Sequence, residues 1–322
     1  MKYAPVCIVT LNRSEHLKQC LESLSKCTLA EDTDVFVAID YPPSEKYIEG
    51  WRKNIEFLDN CGNYGFKSFN VIKRQENYGI WNNPADKQTN SKALIQDVLK
   101  DYDRYIFTED DNVFSPCFLE YINKGLEIFE NDDKVFSISG YKFYYPIKFS
   151  SNTFVRQNVD YSPWGVATWR KKVTLTNNNN YKWFRNKITF NMIFNLRKKY
   201  GWGAVVGLLV CSNKNDVKHW IDRHYWTYMN VTEMQQIVPI QTLVKNIGLD
   251  GSGETMNNAI GQEWCDEKLN PLFSAKHFEF IGTGYEFFDE NRSIYAKGKY
   301  WRKQSEYLWI SLKKIIKLIF TV

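Results

Sequence analysis

Short β-forming runs and stretches of helical period alternate through the first 140 residues, and no single motif restricts the chain as much. Apolar runs at 5–10, 34–40, 68–73, 104–108 and 135–139 read as strands. Stretches at 45–58, 84–99 and 118–129 read as helices. Another helix is expected after Ser14, its predicted N-cap, with Leu17, Leu21 and Leu24 on one face. Strands alternating with helices build a mostly parallel sheet covered on both faces. Ligands of such sheets bind beyond the carboxyl ends of the strands. In this chain those ends carry Asn12, Arg13, Asp40, Arg74 and the run Glu109-Asp110-Asp111.

The acidic run needs a physical explanation, because carboxylates are almost never buried without partners. A hard divalent cation is one. Mn2+ and Mg2+ prefer oxygen ligands and are commonly held by one or two carboxylates plus substrate phosphates. An acidic turn that caps the next helix is the other. The residues around the run add to the first. Thr10, Asn12 and Arg13 lie at a strand-to-helix turn, whose N–H groups and dipole suit an anion, and Arg13 adds a planar fork. Asp40 is placed to accept hydrogen bonds from a base or ribose. Arg74, Asn77 and Gly79 form a turn with a cation near the same edge.

The 43% hydrophobic and 16% aromatic content is ample for a core, and the net charge of +5 does not require nucleic acid. The seven cysteines are scattered and odd in number, with no C-x-x-C pair, which favours a reducing compartment over a disulfide framework. Residues 1–10 read as a first strand rather than a leader, and no apolar run is long enough to cross a bilayer. The second half is less regular. It offers a polar loop at 177–180, helices at 183–200 and 216–228, and a strand at 235–243. It is expected to pack on the same sheet as an acceptor-side lobe. The tail, 301–322, reads as a basic amphipathic helix. Leu308, Leu312, Ile315, Ile316 and Ile319 share a face opposite Lys313, Lys314 and Lys317. In-plane attachment to an anionic membrane and docking on the protein's own core both fit that pattern.

Five ordered segments carry a family resemblance. They are Glu76-Asn77-Tyr78-Gly79-Ile80, the stretch from Tyr105 through Glu109-Asp110-Asp111 to Leu119, Val135 to Tyr141, and the later segments Ser162 to Trp169 and Val244 to Gly253. Together they resemble the GT-A type nucleotide-sugar glycosyltransferases, in particular bacterial surface-polysaccharide enzymes distantly similar to N-acetylglucosaminyltransferase I. The resemblance implies a Rossmann-like α/β domain over 1–300, with a nucleotide-sugar half (1–140) and an acceptor-side half (141–300). It implies that Asp111 ligates Mn2+ or Mg2+. Thr10, Asn12, Arg13, Asp40, Arg74, Asn77, Gly79, Glu109 and Asp110 would then hold the nucleoside diphosphate sugar donor. Trp164 and Gly165 would face the acceptor or stack on sugar.

An inverting transfer also needs a base for the acceptor hydroxyl. The resemblance leaves Asp216 and Asp222 as candidates, Asp216 preferred at an expected helix start. Thr255 stands where relatives often carry a His, so the second protein ligand of the metal is open. The implied reaction moves a sugar to a saccharide or lipid-linked glycan acceptor, in the cytoplasm at the inner face of a bacterial membrane. A sugar nucleotidyltransferase competes as an enzyme, although the turn after the first strand lacks a Gly-rich loop. An inactive glycan-binding scaffold competes as a non-enzyme. The absence of a Walker A loop and of G-x-G-x-x-G argues against a P-loop NTPase or a dinucleotide enzyme.

Overall fold

The structure is a computed structural model that describes residues 3–80, 89–142, 151–158, 161–178, 181–213, 221–248, 250–253, 273–287 and 308–314. Its first half runs β1 (Val6–Thr10), α1 (Ser14–Ser25), β2 (Asp34–Ile39), α2 (Ile48–Asn60), β3 (Ser68–Lys73), α3 (Asn90–Val98), β4 (Arg104–Glu109), β5 (Asn112–Phe114), α4 (Phe118–Ile128) and β6 (Val135–Ser139). The second half adds β7 (Phe154–Gln157), β8 (Val166–Trp169), α5 (Arg170–Asn178), α6 (Tyr181–Asn186), α7 (Phe190–Tyr200), α8 (Trp202–Cys211), α9 (Ile221–Thr232), β9 (Gln235–Pro239), β10 (Val244–Asn246) and β11 (Tyr285–Phe287).

Nine of these strands form one sheet in the order β11-β7-β9-β6-β8-β4-β1-β2-β3. The β3-β2-β1-β4 block is parallel throughout. Antiparallel β8 then separates β4 from β6, β9 follows β6 in parallel, and β7 turns back against β9. The fold is therefore α/β, with a mixed, mostly parallel sheet between helices. Alternation along the strands explains the two covered faces. In β1, Val6 and Ile8 enter one core with Leu17, Leu21 and Leu24 of α1 and Phe118 of α4. Cys7 faces the other core, with Leu94 of α3, Phe184 of α6, Leu208 of α8 and Met229 of α9.

Several boundaries differ from the sequence expectation. Arg13, not Ser14, is the N-cap of α1, and its side chain makes no capping bond. It points to the acidic run instead. The expected helix at 183–200 is two helices, because Thr189 turns extended and its hydroxyl accepts from the Met192 N–H at 3.1 Å to start α7. The expected loop at 177–180 begins inside α5, which runs to Asn178. The strand expected at 235–243 ends at Pro239, and the chain re-forms a strand only at β10, which pairs antiparallel with β5. α8 was not expected: it is apolar all round, without the one-sided period that marks a surface helix, and all its residues from Ala204 to Cys211 are buried. Of the expected helices at 84–99 and 216–228, residues 84–88 and 216–220 lie outside the described residues.

The turn before β8 depends on a glycine. Gly165 has φ of 65°, and a Cβ there would lie 2.8 Å from Val244 Cγ2 and 2.9 Å from a Phe118 ring carbon. Left-handed strain of roughly 1–2 kcal/mol and overpacking of roughly 1–3 kcal/mol act together. Gly165→Ala is therefore expected to lower unfolding free energy by about 2–4 kcal/mol in urea titrations. A change under about 0.5 kcal/mol, the range of ordinary surface substitutions, would show that the turn relaxes freely.

Candidate active site

The parallel register brings the C-terminal ends of β1 and β4 side by side, with Val9 opposite Glu109. Past those ends the acidic run meets Arg13. The guanidinium Nη2 donates to Asp110 Oδ1 at 2.5 Å and to Asp111 Oδ2 at 2.8 Å. Asp110 also accepts from the Thr10 hydroxyl at 2.6 Å, and that hydroxyl accepts from Asn54 Nδ2 at 2.8 Å. The second oxygen of Asp111 accepts from Asn246 Nδ2 at 2.8 Å, and the Ile247 N–H donates to the Asp111 carbonyl at 2.8 Å. The β5–β10 pair carries Asn246 to this position by setting it opposite Asn112.

Gly248 closes the back of the cluster. A Cβ at that position would overlap the Asp111 carboxylate and approach Arg13 Nη1 to 2.8 Å. Only a residue without a side chain leaves room for the ion pair. Gly50 plays a similar part for Asn12: a Cβ there would stand 2.6 Å from the Asn12 carbonyl, so α2 can lie close against the β1–α1 turn. At the rim, His16 Nε2 lies 3.2 Å from Asp250 Oδ2, and the other Asp250 oxygen accepts from the Ser252 N–H and hydroxyl.

Glu109 is bound differently from its neighbours. Its Oε2 accepts from the Trp164 indole N–H at 3.1 Å. Burial, then the charges of Asp111 and of Asp222, push its pKa up to about 8. Asp222 stands in the first turn of α9, and burial raises it to about 6. Burial raises Asp111 as well, with the Asp110 charge adding to it and Arg13 opposing. For Arg13, burial works against the charge, but Asp110 and Asp111 more than offset it and hold the guanidinium protonated. Among the described residues Arg13 bridges Asp110 and Asp111, while burial holds Glu109 and Asp222 toward the neutral form.

The other strand ends hold the remaining expected residues. The Asp40 carboxylate accepts from the backbone N–H groups of Tyr41, Tyr78 and Gly79 at 2.8–2.9 Å, and from Asn77 Nδ2 at 3.4 Å. Asn77 Nδ2 also donates to the Tyr41 carbonyl at 2.6 Å, and Gly79 takes φ of 71°. Asp40 and Asn77 therefore brace the loop after β3. Arg74 donates through Nε to Asn90 Oδ1 at 3.0 Å and lies over the Tyr78 ring, while its buried Nη2 has no hydrogen-bond partner among the described residues. Trp164 packs edge-to-face on Tyr141 at 4.7 Å. Gly165 lies beneath it in the core, against Phe118 and Val244. Asp216 and Thr255 lie outside the described residues.

No family model matches the chain, and no curated protein matches it in sequence. Among solved structures it is similar to fragment 1-349 of S. aureus TarS, also solved with UDP, at 12% identity over 76% of this chain. The TM-score is 0.41, and the match spans 60% of that TarS chain's length. It is also similar to the mannosyltransferase PcManGT from Pyrobaculum calidifontis, solved with GDP-Man and Mn2+. There the identity is 11% over 52% of this chain and 46% of that one, with a TM-score of 0.33. The glycosyltransferase GlyE of Streptococcus pneumoniae TIGR4 gives 12% identity over 73% and 44%, with a TM-score of 0.32. At identities this low the chemistry has to be read from the chain's own residues.

Among the described residues, no group of three or more His, Cys, Asp or Glu is arranged to hold a metal. A full protein cage is therefore not built here. A site of one or two carboxylates completed by substrate phosphates fits the chain. Each Asp111 oxygen accepts one hydrogen bond and keeps a further lone pair. Burial, with neighbouring carboxylates adding to it, raises the pKa of Glu109 and Asp111, and a divalent cation there would favour their charged forms.

The raised carboxyls also set a pH dependence. A buried acid whose folded pKa lies above its unfolded value stabilises the protein below the unfolded pKa, and that stability is lost as pH rises through the folded one. For Asp222 the loss falls between about 4 and 6, and for Glu109 between about 4.5 and 8. Metal-free protein is expected to melt lower at pH 8.5 than at pH 6. Glu109→Gln should raise stability at pH 8.5, by on the order of 1–3 kcal/mol, and change it little at pH 5. Equal losses for this variant at both pH values in calorimetry would mean that the carboxylate is fully compensated.

Proposed function

We propose that the chain is a metal-dependent glycosyltransferase. It moves a sugar from a nucleoside diphosphate donor to a saccharide or lipid-linked glycan acceptor in surface polysaccharide synthesis, with inversion. The observation that carries the reading is the Arg13–Asp110–Asp111 cluster at the carboxyl ends of the parallel strands, with Glu109 and Asp222 beside it. Motif and position agree there, because open parallel sheets bind ligands at those ends.

Each residue has a defined task in this reaction. Asp111 holds Mn2+ or Mg2+, with Asn246 and Gly248 fixing the carboxylate's orientation. The metal, when bound, supplies charge neutralisation for the departing nucleoside diphosphate. Arg13 and Thr10 hold Asp110 toward the donor ribose and sugar. Arg74, whose Nη2 has no partner among the described residues, offers a donor to an acceptor atom of the nucleotide. Asp40, Asn77 and Gly79 shape the loop against which the nucleoside rests. Trp164 orients Glu109 through its indole N–H and presents a ring edge toward the sugar.

Asp222 takes the proton from the attacking hydroxyl. Its pKa of about 6 makes it a stronger base than a solvated Asp while leaving it ionised near neutral pH. Asp216 is the alternative base from the same segment. The tail, 301–322, lies on the bilayer. In its helical part, 308–314, Trp309, Ile310 and Leu312 are exposed beside Lys313 while Ser311 is buried, an arrangement that suits an interface. No helix among the described residues is long and apolar enough to cross a membrane.

Calorimetric titration with UDP and GDP, with and without Mn2+, tests the donor site. Metal-dependent binding is expected for the wild type and is expected to vanish in Asp111→Asn. Turnover across a panel of sugar nucleotides should fall roughly 100-fold or more in Asp222→Asn with nucleotide affinity retained. Retained turnover in that variant combined with loss in Asp216→Asn would move the base to Asp216. Nucleotide binding that ignores Mn2+ would sink the metal reading altogether.

A further inference from the structure

Between Tyr161 and Asn213 the chain carries nine Lys and Arg and no Asp or Glu. This acid-free stretch supplies α5, α6, α7 and α8. A chain of mixed charge and net +5 has here concentrated one sign on one set of helices. α7 shows what that surface presents. Its inner side buries Leu196 and Tyr200, and the helix packs on α8 and α9. On its outer side Phe190 is 84% exposed and Phe194 is 52% exposed. Phe190, Phe194, Arg197 and Lys198 stand at i, i+4, i+7 and i+8, so they form one outward stripe. Lys199 faces away and pairs with Glu233. Lys182 and Arg185 of α6 are also exposed, one helix earlier in the chain.

Two large aromatics are left in water beside Lys198 and beside Arg197, whose guanidinium lies over the Trp202 ring at 5.2 Å. Phe190 alone exposes more of its surface than any other large hydrophobic among the described residues. Aromatic rings flanked by cations are what the headgroup region of an anionic bilayer selects: rings sit at the acyl boundary and cations at the phosphates. A duplex nucleic acid or an acidic polysaccharide would engage the cations through its charged groups and leave the phenyl rings of Phe190 and Phe194 in water.

We propose that the outer stripe of α7, Phe190-Phe194-Arg197-Lys198, is a docking surface for an anionic lipid bilayer, separate from the C-terminal tail. It does not depend on the glycosyltransferase reading. It places the contact on the helix layer whose member α9 carries Asp222 in its first turn. Two contacts far apart in sequence would hold the protein in one orientation, whereas a single helix permits swivelling.

Vesicle flotation of the full chain tests this, using phosphatidylcholine vesicles with and without about one third phosphatidylglycerol. Three variants are compared: Phe190→Ser/Phe194→Ser, Arg197→Gln/Lys198→Gln, and Trp309→Ser/Leu312→Ser in the tail. The wild type is expected to float only with anionic vesicles. Each α7 variant should lose roughly tenfold or more in vesicle affinity, and the melting temperature of Phe190→Ser/Phe194→Ser should stay unchanged. The tail variant should weaken binding independently, so that the combined variant is weaker than either. Wild-type vesicle affinity in both α7 variants would overturn the proposal. So would retention of the wild type on heparin, lost in Arg197→Gln/Lys198→Gln, without any flotation, since the surface would then serve a soluble polyanion.

Discussion

The guanidinium of Arg13 is the interaction on which the site depends. Two adjacent aspartates at the end of a buried strand repel each other and lose hydration, and either effect alone would displace them. Arg13 bridges both from the first residue boundary of α1, at 2.5 and 2.8 Å. This use of Arg13 explains why α1 starts without a side-chain cap. It also explains Gly248, since any Cβ there would occupy the space of the ion pair. The close parallel pairing of β1 and β4 gives the bridge its short reach.

Arg13 does not complete the charge balance. Burial pushes Glu109 and Asp222 toward the neutral form, and for Glu109 the charges of Asp111 and Asp222 add to it. An arrangement selected for stability alone would not keep them. Perturbed carboxyls of this kind gather where chemistry is done, and here Glu109 feels the charges of both Asp111 and Asp222. The same imbalance links stability to pH and to ligand: a cation bound to the folded state would relieve the repulsion and raise stability together with function.

The strand ends were legible because periodicity and chemistry coincided there. β3 and β6 appear at the expected residues, and Asn12, Arg13, Asp40, Arg74 and Glu109 do stand where the sheet ends. Individual tasks were less legible. Asp40 reads as a free acceptor in the sequence, yet three backbone N–H groups and Asn77 saturate it. Gly165 reads as a site glycine, yet its absent side chain makes room for Phe118 and Val244. Asn246 had no assigned role, because its contact with Asp111 spans 135 residues and needs the β5–β10 pairing. α8 escaped notice for a local reason: a helix buried on all sides has no amphipathic period.

The sequence by itself determined the α/β class, the parallel core of the first half and the acidic run at a strand end. All three follow from local patterns: period 2 against 3.6, and charge after an apolar run. Tertiary structure alone decided which acid is bridged, which is braced and which is left strained. Those outcomes depend on Arg13, Asn246, Trp164 and Asp222, brought in from four separate stretches of chain. Burial then turned their proximity into electrostatics, because a carboxylate's behaviour is set by the water and charge around it, which no one-dimensional spacing encodes.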